Sequence, residues 1–277
     1  MTVPMTSPTP SRFAELEAAL ENVKASRPAA SRVVGITNDP SSDAASVAAA
    51  IDADPMMTAQ VLRLANSAAY GMSERVGSTQ AAVGLIGFSA VRSIAVLLAS
   101  GLRNHRTPVP AQFWTHSAAT AAACAILSSR LGVARGDAFS LGLLHDVGSA
   151  ILHTVDPEAH AAMLGDEPDT TALCVLEMLE FGMSHADAAA RVLDAWSFPE
   201  SFVRAVARHH EMGWGTSPVE QVLLAGDAIA HLITDPDPDD PVHVERLEEL
   251  GVPIDLLPNI MRATREYAAE VMSGLPT

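Results

Sequence analysis

A histidine–aspartate pair inside an apolar stretch constrains the fold of this chain more than any other feature. His145 and Asp146 follow residues 141–144 (LGLL) and precede Val147-Gly148, a pattern that otherwise predicts burial. A buried carboxylate without a partner is costly, so Asp146 requires a metal ion, a cation or several hydrogen bonds. The fold must therefore bring distant polar side chains to this pair.

Candidate partners for the pair lie far away in sequence. Asp227 is a second charge inside an apolar run, residues 222–230. Imidazole and carboxylate groups form a ligand set that suits Fe, Mn, Zn or Mg, and no thiolate accompanies them. Each histidine taken alone is more often an ordinary residue, so the prediction of a divalent metal depends on the joint pattern. The candidate partners are His116, His185, His209, His210 and Asp227.

Five other histidines are interpreted as ordinary side chains. His231 lies four residues after Asp227 on the same helical face, and we predict an outer-wall position rather than a ligand role. The remaining four are His105, His153, His160 and His243.

Composition and charge favour a helical protein of the cytoplasm. The 277 residues are 48% hydrophobic but only 4% aromatic, so Ala, Leu, Val, Ile and Met must build the core. A net charge of −16 argues against nucleic acid and against anionic membranes as partners. We identify no secretory signal and no apolar run of the ~20 residues that a membrane span needs. The two cysteines, Cys124 and Cys174, are predicted to be small apolar residues in a reducing compartment.

The chain is predicted to be all-α, a two-lobed helical bundle. Residues 1–10 are predicted to be a disordered N-terminus, residues 11–107 the first lobe, and residues 111–234 the second lobe. Residues 235–277 are predicted to form an acidic linker and one or two terminal helices. Within the first lobe, residues 26–42 are predicted to be a loop, whereas Asp54-Pro55 is a strong helix start.

Two motifs carry a resemblance to a known family. The stretch from Asp54 to Gly71, DPMMTAQVLRLANSAAYG, resembles the N-terminal signature of the HDOD family almost throughout. The order His116, His145-Asp146, Asp227 resembles the H…HD…D signature of the HD superfamily of metal-dependent phosphohydrolases. The resemblance covers roughly residues 15–235.

This resemblance implies a fold, a ligand set and a role. It implies an all-helical two-lobe fold with an HD-like second lobe, and a bacterial signalling or regulatory module of a family whose members are mostly non-enzymatic. It implies structural roles for Arg63 and Asn66. The metal ligands it implies are His116, His145, Asp146, His185, His209, His210 and Asp227.

Two departures bear on catalysis. Hydrolases of this type carry a lysine three residues after the aspartate, where this chain has Ser149. The segment from Glu211 to Pro218 also lacks the Gly-Tyr-Pro of the related HD-GYP phosphodiesterases, which hydrolyse cyclic di-GMP.

Three functions stay open from the sequence. The favoured one is a non-catalytic signalling module that can hold a divalent metal and binds a protein partner. The alternatives are a metal-dependent phosphohydrolase similar to a cyclic di-GMP phosphodiesterase, and a helical scaffold whose His and Asp side chains are hydrogen-bonded without metal.

Overall fold

Helices account for the secondary structure throughout the described part of the chain, as predicted. The computed structural model describes residues 10–25, 28–67, 70, 75–100, 109–165, 170–211, 216–234 and 241–274, and no strand occurs among them. The helices are α1 (Pro10–Ala25), α2 (Pro28–Asn38), α3 (Ala44–Ile51), α4 (Pro55–Ala65), α5 (Thr79–Ala99), α6 (Ala111–Leu127), α7 (Arg135–Leu144), α8 (Val147–Val155), α9 (Pro157–Gly165), α10 (Thr170–Phe181), α11 (His185–Ala195), α12 (Glu200–Ala207), α13 (Pro218–Thr234), α14 (Pro241–Glu249) and α15 (Leu257–Gly274).

Several predicted regions fall outside these ranges. Residues 1–9, residues 101–108 with His105, and residues 235–240 are not among the described residues. Pro10, predicted to be disordered, is the first residue of α1. The division into lobes at residue 107 stays a prediction.

Capping side chains begin two helices of the first half, one of them at the predicted start Asp54-Pro55. The Asp54 carboxylate accepts hydrogen bonds from the backbone N–H groups of Met56 and Met57 at 2.9 and 3.2 Å, and Pro55 is the first helical residue. Ser78 caps α5 by accepting from the N–H of Ala81. These bonds satisfy N–H groups that have no partner inside the helix.

The prediction of a loop over residues 26–42 is wrong, because α2 occupies most of it. A proline often ends a helix, but Pro28 is the first residue of α2, a position that proline tolerates well. Ala30, Val33 and Val34 are buried at helical spacing on one face of α2.

Helix α5 has the length and composition of a membrane span, contrary to the sequence analysis. Residues Thr79–Leu98 have a mean hydropathy of 2.0, but 61% of this window is buried inside the protein. Gly87, at φ +83°, interrupts the helical geometry inside α5. Burial of so apolar a helix is typical of a central position in a helical bundle.

Helix α6 is the centre of the second half, and glycines let its neighbours approach closely. A Cβ at Gly142 of α7 would lie 2.7 Å from the Thr120 carbonyl oxygen, and one at Gly226 of α13 would overlap Cys124. Side chains at these positions would push the helices apart. The close packing therefore places the end of α7 and the middle of α13, which carries Asp227, beside His116 of α6.

Both ends of the described chain pack on the body. Helix α1 contacts α8 and α11, and α15 lies against α6 and α4. The Arg63 guanidinium of α4 donates to the Ser273 carbonyl of α15. Asn66 binds its own helix through the Leu62 carbonyl and binds both backbone groups of Val76, at 2.8–2.9 Å. Arg63 and Asn66 thus make structural contacts, in line with the roles implied by the resemblance.

Candidate metal centre

The His145-Asp146 pair lies at the junction of two helices. Helix α7 ends at Leu144, and Asp146 at φ −103° and ψ +12° turns the chain before α8 begins at Val147. His145 is fully buried, and the Asp146 side chain is 19% exposed. The pair is therefore buried but retains access to solvent on one side of Asp146.

A glycine sets the distance between this junction and α11. A Cβ at Gly148 would lie 2.7 Å from the Ala189 nitrogen and would overlap the carbonyl of His185. The absence of a side chain at Gly148 allows α8 and α11 to touch backbone to backbone. His185, the first residue of α11, is thereby held next to Asp146.

The two carboxylate oxygens of Asp146 face different histidines. Oδ1 lies 3.3 Å from His209 Nε2 and 3.6 Å from His185 Nε2. Oδ2 lies 3.4 Å from His145 Nε2 and 3.8 Å from His116 Nε2. Asp146 is thus shared between two sets of imidazoles.

Asp227 completes the second of these sets. Its Oδ1 lies 3.0 Å from His116 Nε2 and 3.6 Å from His145 Nε2, and the residue is 2% exposed. His231 Nε2 is also 3.6 Å from this oxygen, and the His231 ring lies 4.8 Å from that of His116. His231 therefore borders the cluster, closer than an outer-wall position suggests.

The double histidine follows helix α12 and does not lie on it. Helix α12 ends at Ala207, and His209 and His210 lie in the turn that follows. His210 Nε2 is 2.8 Å from His185 Nε2. The segment that lacks Gly-Tyr-Pro follows them, but its residues 212–215 lie outside the described ranges.

All seven predicted ligands converge, in two groups. Within each group, one candidate ligand atom per residue lies within 4.8 Å of the others. The four-ligand group is Asp146, His185, His209 and His210, and the three-ligand group is His116, His145 and Asp227.

Three buried atoms in this cluster lack a hydrogen-bond partner. The Nδ1 atoms of His145 and His209 donate to the carbonyls of Gly142 and Val206, at 2.8 and 2.6 Å. In a neutral imidazole this leaves Nε2 as an acceptor, and both Nε2 atoms are unpartnered, as is Asp146 Oδ1. Unpartnered buried acceptors are rare, and imidazoles anchored through Nδ1 are typical of metal ligands. The residues thus fit a divalent cation.

The charge balance of the cluster also favours cations. Burial opposes ionisation of Asp146, but His145, His209 and His185 outweigh it and hold the pKa of this carboxyl well below its usual range. Burial opposes protonation of His185, yet its hydrogen bond with Glu177 raises the pKa of the imidazole to about 9. Protons on imidazoles thus compensate the buried carboxylates when no metal does.

Glu177 is the site residue that the sequence analysis missed. It is fully buried on α10, and its Oε2 accepts a 2.6 Å hydrogen bond from His185 Nδ1. The signal that identified Asp227 also marks Glu177 in the sequence, since Glu177 is a charged residue inside an apolar run, residues 172–179. His160, interpreted as ordinary, is buried between Glu177 and Ser149, at 3.9 and 3.4 Å.

An all-helical protein whose histidines and aspartates converge in the order His, His-Asp, Asp has the architecture of the HD-like helical proteins. The sequence model of the HDOD domain matches residues 26–212, which is more than half of the chain. The chain belongs to the HDOD domain family.

Three similar proteins place the fold in context. A Shewanella amazonensis protein provisionally named a phosphohydrolase is 22% identical, with a TM-score of 0.73 over 98% of this chain and 99% of its own. The MmoQ response regulator of Methylococcus capsulatus is 28% identical, with a TM-score of 0.51 over 84% and 95%. An uncharacterised Treponema pallidum protein is 22% identical over 73% of this chain, which spans only 37% of that relative.

Proposed function

We propose that this chain is a non-catalytic bacterial signalling or regulatory module of the cytoplasm whose His/Asp cluster binds divalent metal. One observation carries the proposal: His145 Nε2, His209 Nε2 and Asp146 Oδ1 are buried acceptors without a partner. Metal ions in the two groups would satisfy all three, His209 Nε2 and Asp146 Oδ1 in one and His145 Nε2 in the other, because each has a lone pair available once the imidazoles are neutral.

The metal would have a structural effect on the helices that hold it. The two groups draw ligands from α6, α11, α13, the junction of α7 and α8, and the turn after α12. When bound, the ion would supply positive charge to three buried carboxylates, those of Asp146, Asp227 and Glu177. Because ligands so far apart in sequence converge only in the folded chain, metal binding favours the folded state. Fe, Mn, Zn or Mg suits this set of ligands.

The surroundings of the cluster support a non-catalytic role. Ser149 replaces the lysine of related hydrolases, and its hydroxyl lies 3.4 Å from His160 Nε2. In the described part of the chain, the ion pairs of Asp146 and Asp227 are all with histidines, so neither carboxylate is paired there with a lysine or an arginine.

The regulatory part of the proposal includes a protein partner. A net charge of −16 disfavours nucleic acid and anionic membranes as partners, which leaves a protein as the favoured partner. The similarity to the MmoQ response regulator supports a signalling context.

Elemental analysis tests the metal proposal. We expect wild-type protein, gently purified and full length, to contain divalent metal, and Asp146→Ala to contain far less, because Asp146 belongs to one group and its Oδ2 faces the two histidines of the other. A chelator should lower the Tm of the wild type and leave that of Asp146→Ala unchanged. Substoichiometric metal in the wild type, with a chelator-insensitive Tm, would instead support the hydrogen-bonded scaffold.

A metal-dependent phosphohydrolase is the second candidate. Asp146 favours this function, because its two carboxylate oxygens face different sets of histidines and its side chain is 19% exposed. Two adjacent cations at this position could polarise a phosphodiester. The assay is turnover of cyclic di-GMP and generic phosphodiesters with Mn²⁺ or Fe²⁺ added. Turnover lost in Asp146→Ala would establish an enzyme, whereas turnover that survives this change comes from a contaminant.

A further inference from the structure

Glu177 has the geometry of a group that controls a metal ligand without being one. Its Oε2 accepts from two donors of the same residue, the backbone N–H of His185 at 2.8 Å and the His185 Nδ1–H at 2.6 Å. The carboxylate is fully buried, so no water competes for these bonds. Both the position and the orientation of the imidazole are thereby restrained.

This arrangement decides which nitrogen of His185 faces the cluster. With Nδ1 bound to Glu177, Nε2 is directed toward Asp146 Oδ1 at 3.6 Å and His210 Nε2 at 2.8 Å. A carboxylate that accepts from one ring nitrogen fixes the tautomer and increases the basicity of the other nitrogen. His185 is therefore prepared to donate its Nε2 lone pair to a cation.

The other anchored imidazoles have weaker partners. The Nδ1 atoms of His145 and His209 face the backbone carbonyls of Gly142 and Val206, which carry no formal charge. A hydrogen bond to a carboxylate is stronger than one to a neutral acceptor. The support that Glu177 provides is thus directed at the four-ligand group, to which His185 belongs, and not at the three-ligand group.

We infer that Glu177 is a positioning residue that makes the four-ligand group the tighter of two metal-binding groups. The inference rests on the proposed metal binding. It predicts two ions of unequal affinity, with the order of affinity set by a residue outside both groups.

A competing arrangement would make Glu177 a ligand. Cys174 Sγ, a Glu177 oxygen and a His185 nitrogen also lie within 4.8 Å of one another. That arrangement would need a second available nitrogen on His185, but Nδ1 donates to Glu177 and Nε2 faces the four-ligand group. Cys174 therefore provides a control, since the inference assigns it no metal.

The experiment titrates the full-length, metal-free protein with Co²⁺, followed by calorimetry and by visible absorption. The variant is Glu177→Gln, whose amide oxygen can still accept from His185 but carries no charge. Glu180→Gln is the matched control, because Glu180 lies one turn further along α10, is partly exposed and pairs with Arg12. Cys174→Ala controls for packing beside Glu177.

We expect wild type, Glu180→Gln and Cys174→Ala to bind two Co²⁺ ions with the same two affinities. Glu177→Gln should weaken the binding of the tighter ion about 10- to 100-fold and leave the affinity for the weaker ion unchanged. A general loss of structure would weaken both ions, so the selective effect distinguishes positioning from folding. If Glu177→Gln does not fold, Glu177→Asp keeps the buried charge, withdraws it by one methylene and should weaken the same ion.

Three results would overturn the inference. They are unchanged affinities in Glu177→Gln, equal weakening of both ions in a folded variant, and loss of an ion in Cys174→Ala. A wild-type protein that binds no Co²⁺ at all would overturn the proposed metal binding itself, which is a separate outcome.

Discussion

Replacing Gly148 with alanine tests whether backbone contact between α8 and α11 holds the site together. The added Cβ would lie 2.7 Å from the Ala189 nitrogen and 2.9 Å from the His185 carbonyl carbon, and would overlap the His185 oxygen. Ordinary contact begins at about 3.4 Å, so clearing the Ala189 nitrogen alone needs a separation of roughly 0.7 Å, and clearing the His185 oxygen needs more. The obstacles are backbone atoms, which cannot turn aside as a side chain would.

This separation has two measurable consequences. Overpacking against backbone should lower the free energy of unfolding by about 3 kcal/mol, the upper part of the usual range. It should also move His185 away from Asp146, whose facing atoms are now 3.6 Å apart. Metal–ligand distances in protein sites stay within about 0.2 Å of their usual values, so metal content should fall even in the folded variant.

Urea unfolding and elemental analysis of Gly148→Ala measure both consequences. The control is Gly84→Ala in α5, where a Cβ would meet no atom within 4 Å. Because alanine favours helix over glycine, this control should be stabilised by about 0.5–1 kcal/mol and keep its metal. A Gly148→Ala protein with wild-type stability and wild-type metal content would refute the reasoning.

Three further predictions concern the first half of the chain and the metal. Asn66→Ala removes three hydrogen bonds and should lower the free energy of unfolding in urea by about 2–3 kcal/mol. Asn38→Ala loses one 3.4 Å bond and should lower it by less than about 1 kcal/mol, so equal losses would contradict this prediction. Asp54→Ala removes the cap of α4 and should cost about 1 kcal/mol with unchanged metal content, and no loss would show that the cap is dispensable. Adding divalent metal at 100 times its Kd should stabilise metal-free wild type by about 2.7 kcal/mol, and a Tm independent of metal concentration would argue against a site specific to the folded state.

Local signals made most of the helix starts predictable. Capping by Asp54 and Ser78 involves residues two or three positions apart, so the sequence contains both partners of each bond. The failure over residues 26–42 has a local cause as well, since proline is compatible both with the end of one helix and with the first turn of the next. Glu177 was predictable by the same reasoning as Asp227, a charge within an apolar run that must find a buried partner.

The sequence by itself determined the helical class, the seven candidate ligands and the presence of serine at position 149. These follow from composition, from short-range patterning and from a resemblance carried by contiguous motifs. Only the tertiary structure decided that Asp146 is shared between two groups, that His231 borders one of them, and that Glu177 anchors His185. Those facts depend on how closely helices approach at Gly142, Gly148 and Gly226, and on which neighbour each ring nitrogen meets. Contacts between residues far apart in the chain are set by the packing of whole helices, which local patterns do not specify.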